Sequence, residues 1–185
     1  MDYNHLLENK RVFVTSGIRG IGKAIAVLFA NQGAVVAVGG KNIKLAPETE
    51  AELKEYNHKN RVILSNLSSK EETEHACDIL LKEWGGVDIL VNTVGINRHA
   101  EITDASDEEL LNLYETNYMS GIRCIRKFIP NMLEQRYGVI INISSIRHIW
   151  RKVQTEGFCM LFQKQRTNVE HYMHIVYVKM VAWCI

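Results

Sequence analysis

Five short apolar runs recur through the first 144 residues, at 11–15 (RVFVT), 34–39 (AVVAVG), 61–66 (RVILSN), 87–94 (VDILVNTV) and 138–144 (GVIINIS). They are β-branched and apolar along their length instead of alternating with polar residues, so each reads as a strand buried on both faces. The segments between them carry helical signals. In 20–32, Ile21, Ile25, Leu28 and Phe29 share one face and Gly33 is the stop. Pro47 sits in the first turn of a helix over 46–56, and Ser69 with Glu72 spells a capping box for a helix running to about Trp84. Ser106 with Glu109 spells another, before a long helix over about 112–135 in which Pro130 predicts a kink. Strands alternating with helices, and buried on both faces, demand a parallel sheet covered on each side. The expected fold class is α/β: a doubly wound, Rossmann-like, three-layer α/β/α sheet in the order 3-2-1-4-5 with right-handed crossovers, ending after the fifth strand.

The 185 residues suffice for one domain with a real core. A formal net charge of +1 argues against a nucleic-acid surface as a partner. The opening, MDYNHLLENKR, is polar and reads as no signal peptide, and no apolar run approaches the roughly 20 residues of a membrane helix. Cys77, Cys124, Cys159 and Cys184 form no close pair in the sequence and read as free thiols of a reducing compartment, so a cytoplasmic location is expected.

The chemistry concentrates in VTSGIRGIG, residues 14–22. It joins the first strand to the first helix and places three glycines within six residues. Bare backbone there admits a pyrophosphate, and the helix N-terminus offers free N–H groups and a positive dipole end. The spacing Gly17-x-x-Gly20-x-Gly22 differs from the usual dinucleotide fingerprint G-x-G-x-x-G.

That spacing resembles the loop T-G-x-x-x-G-x-G of the short-chain dehydrogenase/reductase family. Thr15, Gly20 and Gly22 match, and Ser16 stands for the first glycine with Gly17 after it. A positive φ at that position would strain serine, although its hydroxyl can donate to phosphate. The resemblance runs through residues 11–146. VDILVNTVGI is similar to the family's N-N-A-G stretch: Asn92 and Gly95 match while Thr93 and Val94 depart. The resemblance implies that this segment braces the sheet and lines the adenosine side. Asn66, with Leu67 after it, stands where the family often has an aspartate near the adenine. Asn117 in ETNYMSG matches the helix asparagine that holds a water of the proton relay, and Ser145 in NISS matches the catalytic serine. Implied cofactor contacts are therefore Thr15, Ser16, Gly17, Ile18, Arg19, Gly20, Ile21, Gly22, Lys41, Asn66, Leu67, Asn92 and Gly95, with no metal. A small carbonyl or alcohol substrate and a homo-oligomer, with no membrane or nucleic-acid partner, complete what the resemblance implies.

Cofactor choice has a physical basis. An acid after the second strand holds the ribose hydroxyls of NAD, whereas NADP needs a cation for its 2′-phosphate. Here Gly39, Gly40 and Lys41 follow AVVAV, and Arg19 lies in the glycine loop. Two cations and no acid predict NADP(H) in preference to NAD(H).

The family's remaining catalytic pair is Tyr-x-x-x-Lys, about 13 residues beyond the serine. The tyrosine is the general acid/base, and the lysine lowers its pKa and holds the nicotinamide ribose. Phe158 and Phe162 occupy the corresponding positions, and no tyrosine of the chain has lysine four residues later. Composition shifts at the same place. Residues 147–185 hold six Lys/Arg and two Glu, with no serine, and resemble no part of the family. The chain thus divides into 1–146, an NAD(P)-binding domain, and 147–185, an atypical tail. One reading of the tail is a truncated or frame-shifted product, and the other a genuine divergent C-terminus. Val169, Tyr172, Met173, Val176, Tyr177 and Met180 fit a helical stripe, but HIVYVKM also passes as a strand. His171 and His174 lack a third partner for a metal. Two functions follow: an NADP(H)-dependent oxidoreductase with Asn117 and Ser145 as its catalytic residues, or a non-catalytic chain that at most binds the nucleotide.

Overall fold

Arg11–Val14 forms β1 at the middle of a parallel sheet, and its three valine and phenylalanine side chains are fully buried. Val12 and Val14 enter one core with Ala26, Ala30 and Leu53, and Phe13 enters a second core with Cys77, Leu80, Phe128 and Met132. Neighbouring residues of one strand therefore serve opposite helix layers, and no position from Val12 to Val14 can be polar. The computed structural model describes residues 5–97, 102–145 and 173–180.

The elements that follow are α1 (Gly20–Asn31), β2 (Val35–Gly40), α2 (Ala46–Tyr56), β3 (Arg61–Leu64), α3 (Lys70–Trp84) and β4 (Ile89–Asn92). A short 3-10 turn (Ile102–Asp104), α4 (Asp107–Tyr114), a π-helical turn (Glu115–Met119), α5 (Ser120–Glu134), β5 (Gly138–Ser145) and β6 (Met173–Met180) complete them. The sheet order is β3-β2-β1-β4-β5-β6, and every pairing is parallel. The expected order of the first five strands holds, but the sheet does not end there. HIVYVKM takes its strand reading and pairs β6 with β5 from Gly138↔Met173 to Ser145↔Met180. In a strand paired along eight residues every backbone donor on that side finds an acceptor, which a helical stripe with no described surface to cover would not offset.

Local signals are honoured with three differences. The buried stripe of α1 is Gly22, Ala26 and Ala30, while Ile21 and Leu28 are exposed. Small residues let the helix lie close on the sheet, and the larger ones stand at its flank. Ser106 and Glu109 close a complete capping box. Ser69 caps Glu72 N–H, but the Glu72 carboxylate turns to the Asn66 N–H at 2.6 Å. The expected long helix is present, helical without a gap from 107 to 134, but it carries a π-helical turn at 115–119, and α5 continues through Pro130.

At the amino end of the strands, Arg11 ties four segments together. Its guanidinium pairs with Asp88 at 2.7 Å and donates to the Trp84 carbonyl and to Gln135 Oε1. Burial alone would raise the Asp88 carboxyl, but hydrogen bonds from the Arg11 side chain and backbone hold it below its ordinary value. Across α3 and α5, Cys77 and Cys124 are buried free thiols within hydrogen-bonding reach of each other, a pairing made only by folding. Cys159 and Cys184 lie outside the described residues. No helix among the described residues is long and apolar enough to cross a membrane.

Candidate functional site

Because all strands run parallel, the segments after β1, β2, β3, β4 and β5 emerge at one edge of the sheet, where open α/β folds bind ligands. Every candidate site residue lies in one of those segments or ends the strand before it, except Asn117, which a side-chain contact brings there.

The loop after β1 is shaped by close approaches. A Cβ on Gly22 would fall 1.9 Å from the Ser16 carbonyl oxygen, and one on Gly17 would fall 2.4 Å from Val38 Cγ1. Only glycine lets α1 start this near the strand. Gly20 takes a φ of +58°, with open space where a side chain would stand. Ser16 is not among the described residues with positive φ, so the strain expected at that position does not arise. The first turn of α1 has no side-chain cap and no acidic residue. Its free N–H groups and dipole suit an anion. Arg19 and Ile21 are exposed there, whereas Ile18 is buried.

Thr15 and Thr93 lock the ends of β1 and β4. Thr15 Oγ1 accepts from the Thr93 N–H at 3.0 Å, and Thr93 Oγ1 accepts from the Ser16 N–H at 3.1 Å. Asn92 Nδ2 donates to Asn142 Oδ1 of β5 at 2.9 Å, joining residues in register across the strands. Neither Thr93 nor Asn142 was a candidate. Thr93 departs from the family wording, and a strand asparagine gives no signal until its neighbour is known.

Lys41 follows β2 directly and is exposed. Neither Lys41 nor Arg19 has an ion pair among the described residues, whereas Lys23 is engaged by Glu52 at 2.7 Å and Glu48 at 3.6 Å. The Leu67 side chain is buried in the core, and its carbonyl accepts from Thr73 Oγ1, so only its backbone edge can meet a ligand. The Asn66 side chain accepts from the Ser68 N–H at 3.4 Å.

Asn117 sits in the π-helical turn and grips the backbone of Ile96. Its Oδ1 accepts from the Ile96 N–H at 2.7 Å and its Nδ2 donates to the Ile96 carbonyl at 2.9 Å. The neighbouring Thr116 hydroxyl bonds Ser68 Oγ at 3.2 Å, and the largely buried Arg123 pairs with Glu115 and donates to the Ser68 carbonyl. One helical turn thus holds both the β3 and β4 loops. Thr116, Arg123 and Ser68 were missed because their contacts span about 50 residues of sequence, with no local pattern to announce them. Ser145 ends β5, three residues past Asn142 and so roughly 10 Å beyond the end of β4. Phe158, Phe162, His171 and Tyr172 lie outside the described residues.

The family model described as short chain dehydrogenase matches residues 10–154. The chain belongs to the short-chain dehydrogenase/reductase family. The match runs eight residues past Ile146, where the resemblance was expected to stop. An uncharacterized oxidoreductase, YvaG, of Bacillus subtilis is 37% identical over 139 residues, covering 75% of this chain and 52% of that one. The 3-oxoacyl-[acyl-carrier-protein] reductase FabG of Vibrio cholerae is 36% identical over 140 residues, covering 76% and 56%. Among solved structures, L-sorbose reductase from Gluconobacter frateurii, complexed with NADPH and L-sorbose, superposes with a TM-score of 0.74. It shares 28% identity and covers 79% of this chain and 55% of that one. The chain spans about half the length of the curated relatives it matches.

Proposed function

We propose that the chain forms the nucleotide-binding part of an NADP(H)-dependent short-chain dehydrogenase/reductase that transfers hydride between nicotinamide and a ketone/alcohol pair. The observation that carries the reading is the end of β2, where no acid stands and Lys41 is exposed with no ion pair among the described residues, together with the uncapped start of α1. The residues fit the cofactor. The loop of Thr15, Ser16, Gly17, Ile18, Arg19, Gly20, Ile21 and Gly22 would take the pyrophosphate, and Arg19 and Lys41 the 2′-phosphate. Asn66 and Leu67 would meet the adenine, and Asn92 and Gly95 would wall the adenosine side. When bound, the cofactor supplies the hydride. Asn117 would order the proton path, and Ser145 would orient and polarise the carbonyl. The NADPH and L-sorbose in the structure of the sorbose reductase, and the name of the 3-oxoacyl reductase, support the cofactor and the carbonyl class.

A second reading, binding without turnover, rests on the sequence alone, where Phe158 and Phe162 fall at the Tyr and Lys spacing. Loss of a general acid typically removes about 10²–10⁴ in rate. Fluorescence titration decides the first point: NADPH should bind more tightly than NADH, and equal affinities or a preference for NADH would reject the cofactor reading. Lys41→Asp should reverse the preference. Steady NADPH oxidation with a panel of ketones, abolished by Ser145→Ala, would establish turnover. Binding without oxidation would establish the second reading.

A further inference from the structure

In a dinucleotide fold an acid at the end of the second strand reaches the ribose hydroxyls. The residue ending β2 here is Gly40, and its missing side chain is not simply an omission. A Cβ built on it would lie 2.7 Å from Ile18 Cδ1 and 2.9 Å from Ile18 Cγ1. Ile18 is 4% exposed. It is also held from a second side: the Thr49 hydroxyl of α2, itself 1% exposed, donates to the Ile18 carbonyl at 3.0 Å. The hydrogen bond fixes the Ile18 backbone against α2, and its buried side chain is directed at the place a Gly40 Cβ would take.

We propose that Ile18 is a specificity-determining residue, because its side chain fills the place that a carboxylate at position 40 would need. The loop residue, and not only the absence of an acid, keeps the end of β2 closed to recognition of an unphosphorylated ribose. Recognition is left to the exposed cations Lys41 and Arg19. The inference rests on the NADP(H) reading above and deepens it. Ile18 acts through position 40 and by shape, so its signature is a coupling between the two positions.

The test compares wild type, Gly40→Asp, Ile18→Ala and the double variant Ile18→Ala/Gly40→Asp. Dissociation constants for NADPH and NADH are read from nucleotide fluorescence. Gly40→Asp alone should gain no affinity for NADH, and the double variant should bind NADH about tenfold more tightly than Gly40→Asp does. A parallel cycle needs no nucleotide. Gly40→Ala should lower the thermal midpoint when Ile18 is present, and markedly less in the Ile18→Ala background. If Gly40→Asp alone binds NADH as tightly as the double variant, or if Gly40→Ala costs the same in both backgrounds, the proposal is overturned. If wild type binds neither nucleotide the cofactor reading fails, and the stability cycle still decides whether Ile18 closes position 40.

Discussion

Thr15 and Thr93 bond each other's strand ends reciprocally: each threonine hydroxyl accepts a backbone N–H from the other's segment, at 3.0 and 3.1 Å. Thr15 is 1% exposed and both bonds are part-buried, so losing an acceptor there leaves an N–H poorly replaced by water. Thr15→Val should lower stability by about 1–3 kcal/mol in denaturant unfolding. The Thr15→Val/Thr93→Val pair should cost less than the sum, since the two bonds close one loop. Strict additivity would contradict a shared clamp.

The Asp88–Arg11 pair predicts an acid limb to stability. A carboxyl whose folded pKa lies below its unfolded value contributes stability above the unfolded value, near pH 4, and loses it as pH falls through the folded value. Stability of wild type should therefore decline below about pH 4. Asp88→Asn should be less stable at neutral pH, and the gap between the two should narrow as acid is added.

Asn117 predicts a local effect. Asn117→Ala removes both bonds to the Ile96 backbone, so the Ile96 amide should exchange with deuterium much faster while amides of β1 and β4 keep their protection. Uniform protection loss across the sheet would mean that the side chain supports the whole fold instead of one loop.

The thiols predict silence. The hydrogen bond with Cys124 and burial both push the Cys77 thiol far above its ordinary value, so little thiolate exists at neutral pH. In a Cys159→Ser/Cys184→Ser background, native protein should not react with an aromatic disulfide reagent, and two thiols should react in denaturant. Rapid labelling of the native state would show that the α3–α5 seam opens.

The class of fold was legible in the order and wording of the apolar runs. The apolar run VFV, buried on both faces, fits a strand covered on both sides, and parallel order puts every following loop at one edge. The sequence also marked the loop of Gly17, Gly20 and Gly22, because close backbone approach leaves glycine no substitute. What those loops touch emerges only from packing. That Ile18 meets Gly40, Asn117 grips Ile96 and Thr116 reaches Ser68 depends on how helices cross the sheet. The same holds for the buried stripe of α1, where Gly22, Ala26 and Ala30 outrank Ile21 and Leu28. Periodicity along a chain reports which residues avoid water. It carries no term for the distance between two elements, and that distance selects the small side chains.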